Sequence, residues 1–195
     1  TISSHLAYLA DHFTQRFSLT SRDMVGEIGS NTGTFLKLFW NRGIQVLGVD
    51  PAENLAVVAN ANGVRTEARF YNGETALFLR ETYGPLKVLV ARHVLAHIDD
   101  LDNVLKGVHD HLRPDGVMVV EVPYLLDLIT QTQFDTIYHE HLYYFSVATL
   151  EKLFASKGLD LFDVERYPIH GGSIVVYVQR KGGPYGRTAA VRLLL

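Results

Sequence analysis

Residues Met24 to Leu36 read M-V-G-E-I-G-S-N-T-G-T-F-L. The stretch opens apolar, passes Glu27-Ile28-Gly29, turns through Ser30, Asn31, Thr32 and Gly33, and resumes as the apolar run Phe35, Leu36, Leu38, Phe39, Trp40. A short apolar run, a glycine-bearing turn and a helical period in that order predict strand, turn and helix. This is the opening unit of a nucleotide-binding α/β domain. Two glycines let the backbone approach a ligand without Cβ atoms in the way.

The next apolar run, Ile44 to Val49, ends at Asp50, about twenty residues beyond the glycine turn. An acid there can accept both hydroxyls of an adenosine ribose. The turn is spaced G-x-x-x-G, with Glu27 before it, rather than the G-x-G-x-x-G that a pyrophosphate needs. A carboxylate beside a pyrophosphate is repulsive, whereas S-adenosylmethionine carries a sulfonium and an ammonium. The E-x-G-x-x-x-G form resembles the first motif of class I methyltransferases. A nicotinamide-dependent oxidoreductase is correspondingly disfavoured.

Composition sets the outer bounds. The chain has 195 residues, 47% hydrophobic and 20% charged, as for an ordinary globular domain. A net charge of −3 announces no basic face, so nucleic acid is not an expected partner. No cysteine occurs, which excludes disulfides and thiolate metal sites within these residues. No apolar run reaches membrane-spanning length and no signal peptide opens the chain, so no membrane partner and a cytoplasmic setting are expected. The start at Thr1 and the uncapped apolar run Val191–Leu195 predict a piece of a longer chain.

In order, a first helix capped by Ser3 or Ser4 is predicted to run to Phe17 and pack on the sheet edge. Strands are predicted at Met24–Ile28, to Asp50, at Val64–Ala68, Leu86–Ala91 and Val117–Val122. The helices between them imply a parallel sheet with right-handed crossovers. Pro51 suits a helix's first turn. Arg113-Pro114-Asp115-Gly116 reads as the turn before strand five. His109 and His111, on the preceding amphipathic helix, are expected at the surface. Strands Leu159–Tyr167 and Ile174–Gln179, joined by a short link, are expected to pair antiparallel. Between them and the parallel core lies Phe134-Asp-Thr-Ile-Tyr138-His139-Glu140-His141-Leu-Tyr143-Tyr144-Phe145-Ser146, richer in aromatics and histidine than a solvated loop needs.

Together E-I-G-S-N-x-G-T-F-L, L-G-V-D-P-A-E-N, V-L-A-H-I, L-R-P-D-G-V, E-V-P-Y-L-L-D-L-I, the Y-H-E-H run and H-G-G-S-I resemble the sugar C-methyltransferases of deoxysugar biosynthesis, the family of the tetronitrose C-methyltransferase. The resemblance spans about Thr14 to Val178, and Y-H-E-H is its most specific part. It implies a class I S-adenosylmethionine methyltransferase fold: a Rossmann-like, mostly parallel seven-stranded sheet with an antiparallel last strand. Residues 1–180 would form that domain, and 181–195 would begin a C-terminal segment. Such enzymes carry a cysteine-rich N-terminal zinc module, so zinc belongs to a module absent from this chain. The implied cofactor is S-adenosyl-L-methionine, leaving as S-adenosylhomocysteine, and the implied partner a nucleotide-linked sugar. Cofactor contacts are expected from Glu27, Gly29, Ser30, Asn31, Gly33, Asp50, Pro51, Phe70, Arg92 and His93. The sequence departs from the family at Thr32, often Asp, and at Ala91-Arg92-His93, where asparagines are frequent.

Methylating carbon needs a carbanion or enolate. The carbon next to a sugar ketone offers an acidic proton, which a base must remove while a donor stabilises the enolate oxygen. His141 is the expected base, since imidazole titrates near neutrality. Tyr138 would donate to the developing oxygen or position the sugar. Glu140 would accept a sugar hydroxyl or orient His141, and His97 joins them at the carboxyl end of strand four. His93 and His97 stand at i, i+4, but without a supporting motif no metal is expected. An O- or N-methyltransferase, or a domain that binds cofactor without turnover, are the competing readings.

Overall fold

The computed structural model describes residues Thr1–Leu195. Seven strands form one sheet in the order β3-β2-β1-β4-β5-β7-β6. Strands β1 (Met24–Ile28), β2 (Gln45–Val49), β3 (Thr66–Glu67), β4 (Leu86–Arg92) and β5 (Leu112–Pro123) run parallel. Strand β7 (Ser173–Arg180) inserts between β5 and β6 (Leu159–Tyr167), antiparallel to both.

Strand alternation builds two cores. Val25 of β1, Val88 and Val90 of β4, and Val117 and Val119 of β5 face one side. That side is covered by α1 (Ile2–Arg16), α2 (Thr34–Trp40) and α3 (Glu53–Ala61) through Phe13, Phe35, Phe39 and Ala59. Ile28, Leu89, Ala91, Met118 and Val120 face the other, under α4 (Gly73–Tyr83), α5 (Leu101–His111) and α7 (Val147–Ala155). Full burial of one such Leu or Phe is worth roughly 1.5–3 kcal/mol. The chain leaves β1 for β2 on one side of it and returns to β4 on the other. That reversal opens a crevice at the carboxyl ends of β1 and β4, where open α/β sheets bind ligands. A short α6 (Leu125–Thr130) and a terminal α8 (Ala189–Leu194) complete the helices.

Three local expectations are corrected. Thr1, rather than Ser3 or Ser4, caps α1: its Oγ1 accepts from the Ser4 amide at 3.3 Å. The helix packs over the β6 edge of the sheet and reaches inward across its face to β5. His5 reaches Glu121 of β5 (2.6 Å), His12 reaches Glu165 of β6 (3.1 Å) and Arg16 reaches Asp163 of β6 (2.5 Å). Second, Arg113-Pro-Asp-Gly116 is a bulge inside β5 rather than a turn before it. Leu86 pairs with Leu112 and Val88 already with Val117, so the extra residues bow out. Lys87 Nζ holds the bulge by donating to Asp115 Oδ2 at 2.8 Å. Third, His111 is buried, with its Nδ1 3.2 Å from the Tyr71 hydroxyl. Burial pushes its imidazole down to about 4.

Candidate active site

The glycine turn sits at the carboxyl end of β1. Gly29, Asn31 and Gly33 have φ of +68°, +52° and +76°. The Gly33 position has no room for a side chain, since a Cβ there would lie 2.8 Å from Val64 Cγ1. The turn is fastened to Asp50, 7% exposed at the end of β2. The Asn31 amide donates to Asp50 Oδ2 at 2.8 Å and the Ala52 amide to Oδ1 at 3.0 Å. Each carboxylate oxygen keeps further acceptor capacity for a ligand hydroxyl. Ser30 is turned inward and buried; a Cβ at Gly48 would meet its Oγ at 2.5 Å. Ser30 thus packs beneath the turn.

Above the sheet lies a cavity of about 450 Å³ lined by Gly29, Pro51, Phe70, Tyr71, Val94 and His97 among others. It joins the ends of β1, β2 and β4. Phe70 stands 75% exposed at its rim, placed there by the chain leaving β3. Of the expected cofactor residues, Gly29, Pro51 and Phe70 line this cavity, and so does His97.

Arg92 and His93 do not line it. Strand parity puts Glu27, Arg92 and Glu121 on the α1 side, at the carboxyl ends of β1, β4 and β5. Arg92 donates twice to Glu27 Oε1, both at 3.1 Å, and its guanidinium lies 4.4 Å from the Phe35 ring centroid. Glu27 is 1% exposed, and its Oε2 has no hydrogen-bond partner. Burial raises Glu27 to about 7, outweighing the pull of Arg92. Glu121 is equally buried; its Oε1 meets His5 Nε2 at 2.6 Å, while Oε2 is 3.8 Å from His93 Nε2 and unpartnered. Burial, with help from His170 and Arg92, drops His93 to about 3, so its ring is neutral. His93 and His170 both have positive φ, +52° and +48°, and their rings meet edge-on at 4.6 Å.

The histidine-aromatic run folds back over β4. The Leu142 amide donates to the Ala96 carbonyl at 2.8 Å, and the Tyr143 hydroxyl to the Asp99 carbonyl at 3.1 Å. These ties bring the His141 ring to 4.9 Å from that of His97. A carbonyl only accepts, so His141 Nδ1, 2.8 Å from the Thr136 carbonyl, carries a hydrogen. His141 Nε2 is therefore the lone-pair nitrogen in the neutral ring, and it accepts from the Tyr138 hydroxyl at 3.0 Å. His97 repeats the device: its Nδ1 donates to the Glu140 carbonyl at 2.9 Å. The Glu140 carboxylate is exposed and does not touch His141; the orienting group is the Thr136 carbonyl. His139 faces solvent, 3.9 Å from Glu140. His170 carried a visible signal in H-G-G-S, but nothing in that motif alone placed it against His93.

Residues 2–164 match the family model described as a methyltransferase domain. The C-methyltransferase NovU of Streptomyces niveus is 46% identical over 91% of this chain and 42% of its own length. This chain therefore spans less than half of that relative. Among solved structures, magnesium protoporphyrin IX methyltransferase from Synechocystis PCC 6803 with bound SAH superposes with a TM-score of 0.68 at 13% identity, over 92% of this chain and 83% of that one. The Burkholderia thailandensis 1,6-didemethyltoxoflavin-N1-methyltransferase, with S-adenosylhomocysteine, gives 0.65 at 19% identity over 88% and 76%. Family match, strand order and glycine turn agree: the chain belongs to the methyltransferase-domain family and has the class I S-adenosylmethionine-dependent fold.

Proposed function

We propose that this protein transfers a methyl group from S-adenosylmethionine to a carbon next to the ketone of a nucleotide-linked deoxysugar, with His141 as the base. The carrying observation is the His141 ring, anchored through Nδ1 with Nε2 left to take a proton. The 46% identical C-methyltransferase supports carbon as the acceptor.

The site suits the cofactor on its own chemistry. Asp50 offers acceptors to ribose hydroxyls, Phe70 a face to adenine, and Gly29 and Pro51 a wall without protruding polar groups. The orphaned, buried Oε2 of Glu27 matches a cationic group, which would draw Glu27 into its ionised form. Bound there, the cofactor supplies a methyl made electrophilic by sulfonium.

His141 Nε2 takes the proton from the sugar carbon, and the Thr136 carbonyl holds the imidazolium that results. As substrate displaces the present Tyr138–His141 contact, the Tyr138 hydroxyl donates to the enolate oxygen. Methyl transfer would form a C–C bond at the enolate carbon at the expense of the cofactor's C–S bond, giving the methylated ketone and S-adenosylhomocysteine. His97, between crevice and base, meets the substrate from the cofactor side.

The test is deuterium exchange at the carbon beside the ketone. His141→Asn should lower exchange and methyl transfer together, by about two to four powers of ten, with cofactor affinity kept. Near-normal exchange in that variant would sink the reading. An O-methyltransferase would show no such exchange in any form.

A further inference from the structure

The β6–β7 connection carries His170-Gly171-Gly172, with φ of +48°, +78° and +118°. It meets the 131–141 run through one side chain, Gln133. Gln133 Nε2 donates to the Gly171 carbonyl at 2.6 Å and to Gln131 Oε1 at 2.9 Å. A Cβ at position 171 would lie 2.5 Å from Gln133 Oε1, so glycine is what lets the amide in. The main-chain carbonyl of Gln133 accepts from Thr136 Oγ1 at 2.9 Å. The Thr136 carbonyl in turn accepts from His141 Nδ1 at 2.8 Å. Gly171, Gln133, Thr136 and His141 thus form a continuous string of short contacts. It joins the hairpin loop, itself fixed to the end of β5 by the Tyr124 amide on the Gly172 carbonyl at 3.0 Å, to the reactive ring.

We propose that Gln133 is a positioning residue for the base, holding the Thr136 carbonyl where it fixes His141 as the Nδ1–H tautomer. The inference deepens the reading of His141 as base and rests on it. Which nitrogen of a neutral imidazole bears the hydrogen is set by the partner of the other. A Thr136 carbonyl free to swing would let the hydrogen move to Nε2, and the ring would then present a donor where the reaction needs an acceptor. Gln133 does not touch the ring and acts on it only through Thr136. Its influence therefore falls on the proton-transfer step and leaves the cofactor crevice alone.

Gln133→Glu tests this with little change of shape, because a carboxylate has no hydrogen for the Gly171 carbonyl. Gln133→Met, of similar length and without a donor, serves if the glutamate variant fails to fold. Histidine nitrogen NMR on the free protein should show His141 as Nδ1–H, and as Nε2–H or a mixture in the variant. Exchange at the substrate carbon should fall by about 10- to 100-fold, with KM and cofactor affinity unchanged. An unaltered His141 tautomer in a folded variant overturns the role of Gln133. Retained exchange in His141→Asn overturns the base reading instead, so the two failures appear in different measurements.

Discussion

His97 and His141 stand with ring centroids 4.9 Å apart, and each fixes its Nδ1 on a main-chain carbonyl contributed by the same 136–140 stretch. The tautomer this sets in each neutral ring leaves Nε2 as the acceptor, one at the crevice and one under Tyr138. Residues that act as a unit lose little more when both are removed than when one is. His97→Asn should lower turnover by about 100-fold, and the double variant with His141→Asn should be no slower than His141→Asn alone. Full additivity in kcat would show that the two act independently.

Phe70 should separate binding from folding. At 75% exposure it contributes little to the core, so Phe70→Ala should move stability by no more than about 0.5 kcal/mol. A lost aromatic platform for adenine should weaken S-adenosylhomocysteine by about 1–3 kcal/mol in calorimetry. Unchanged affinity would place the adenine elsewhere.

Gly33 and Gly43 offer a matched pair, both at φ +76°. A Cβ at 43 meets nothing within 4 Å, whereas one at 33 meets Val64 Cγ1 at 2.8 Å. Gly43→Ala should cost about 1–2 kcal/mol from backbone strain alone. Gly33→Ala should cost more, the excess reporting the contact under the turn. Equal losses in urea unfolding would show that Val64 moves aside freely.

Stability should depend on pH with two opposed contributions. His93 is depressed to about 3 and His111 to about 4, so below the ordinary imidazole range the unfolded chain binds more protons. Their effect is stability lost as pH falls from about 6.5. Glu27 is raised to about 7, so between about 4.5 and 7 the folded chain binds more protons. Its effect is stability lost as pH rises through that window. In denaturant titrations from pH 7 to 4.5, His93→Gln should flatten the acid loss and Glu27→Gln should steepen it. The opposite ordering would contradict the assigned directions.

Much of this arrangement was legible in the sequence because it is local. Val25, Ile28, Leu47, Val49 and Val88–Ala91 announce buried strands, and Gly29–Gly33 with Asp50 announces the crevice between them. The misreadings share one cause, contacts that local pattern does not carry. Pro114-Asp115-Gly116 has turn chemistry, yet pairing with β4 keeps it inside a strand as a bulge. His111 has the spacing of a helix surface, yet Tyr71, forty residues earlier, covers it. Adjacency made Glu140 the natural partner of His141, but the ring found the Thr136 carbonyl, and Gln133 had no signal at all.

The clasp between α1 and the far strands bears on the order of assembly. His5, His12 and Arg16 precede their carboxylate partners by 116 to 153 positions. Loop closure on that scale comes late and slows folding. Until β7 is synthesised, β5 is an open edge, the surface on which incomplete sheets pair with one another. Helix α1 can lean early on α2 through Phe13 and Phe35, but its seat is completed only when the β6–β7 hairpin arrives, the same event that shields β5.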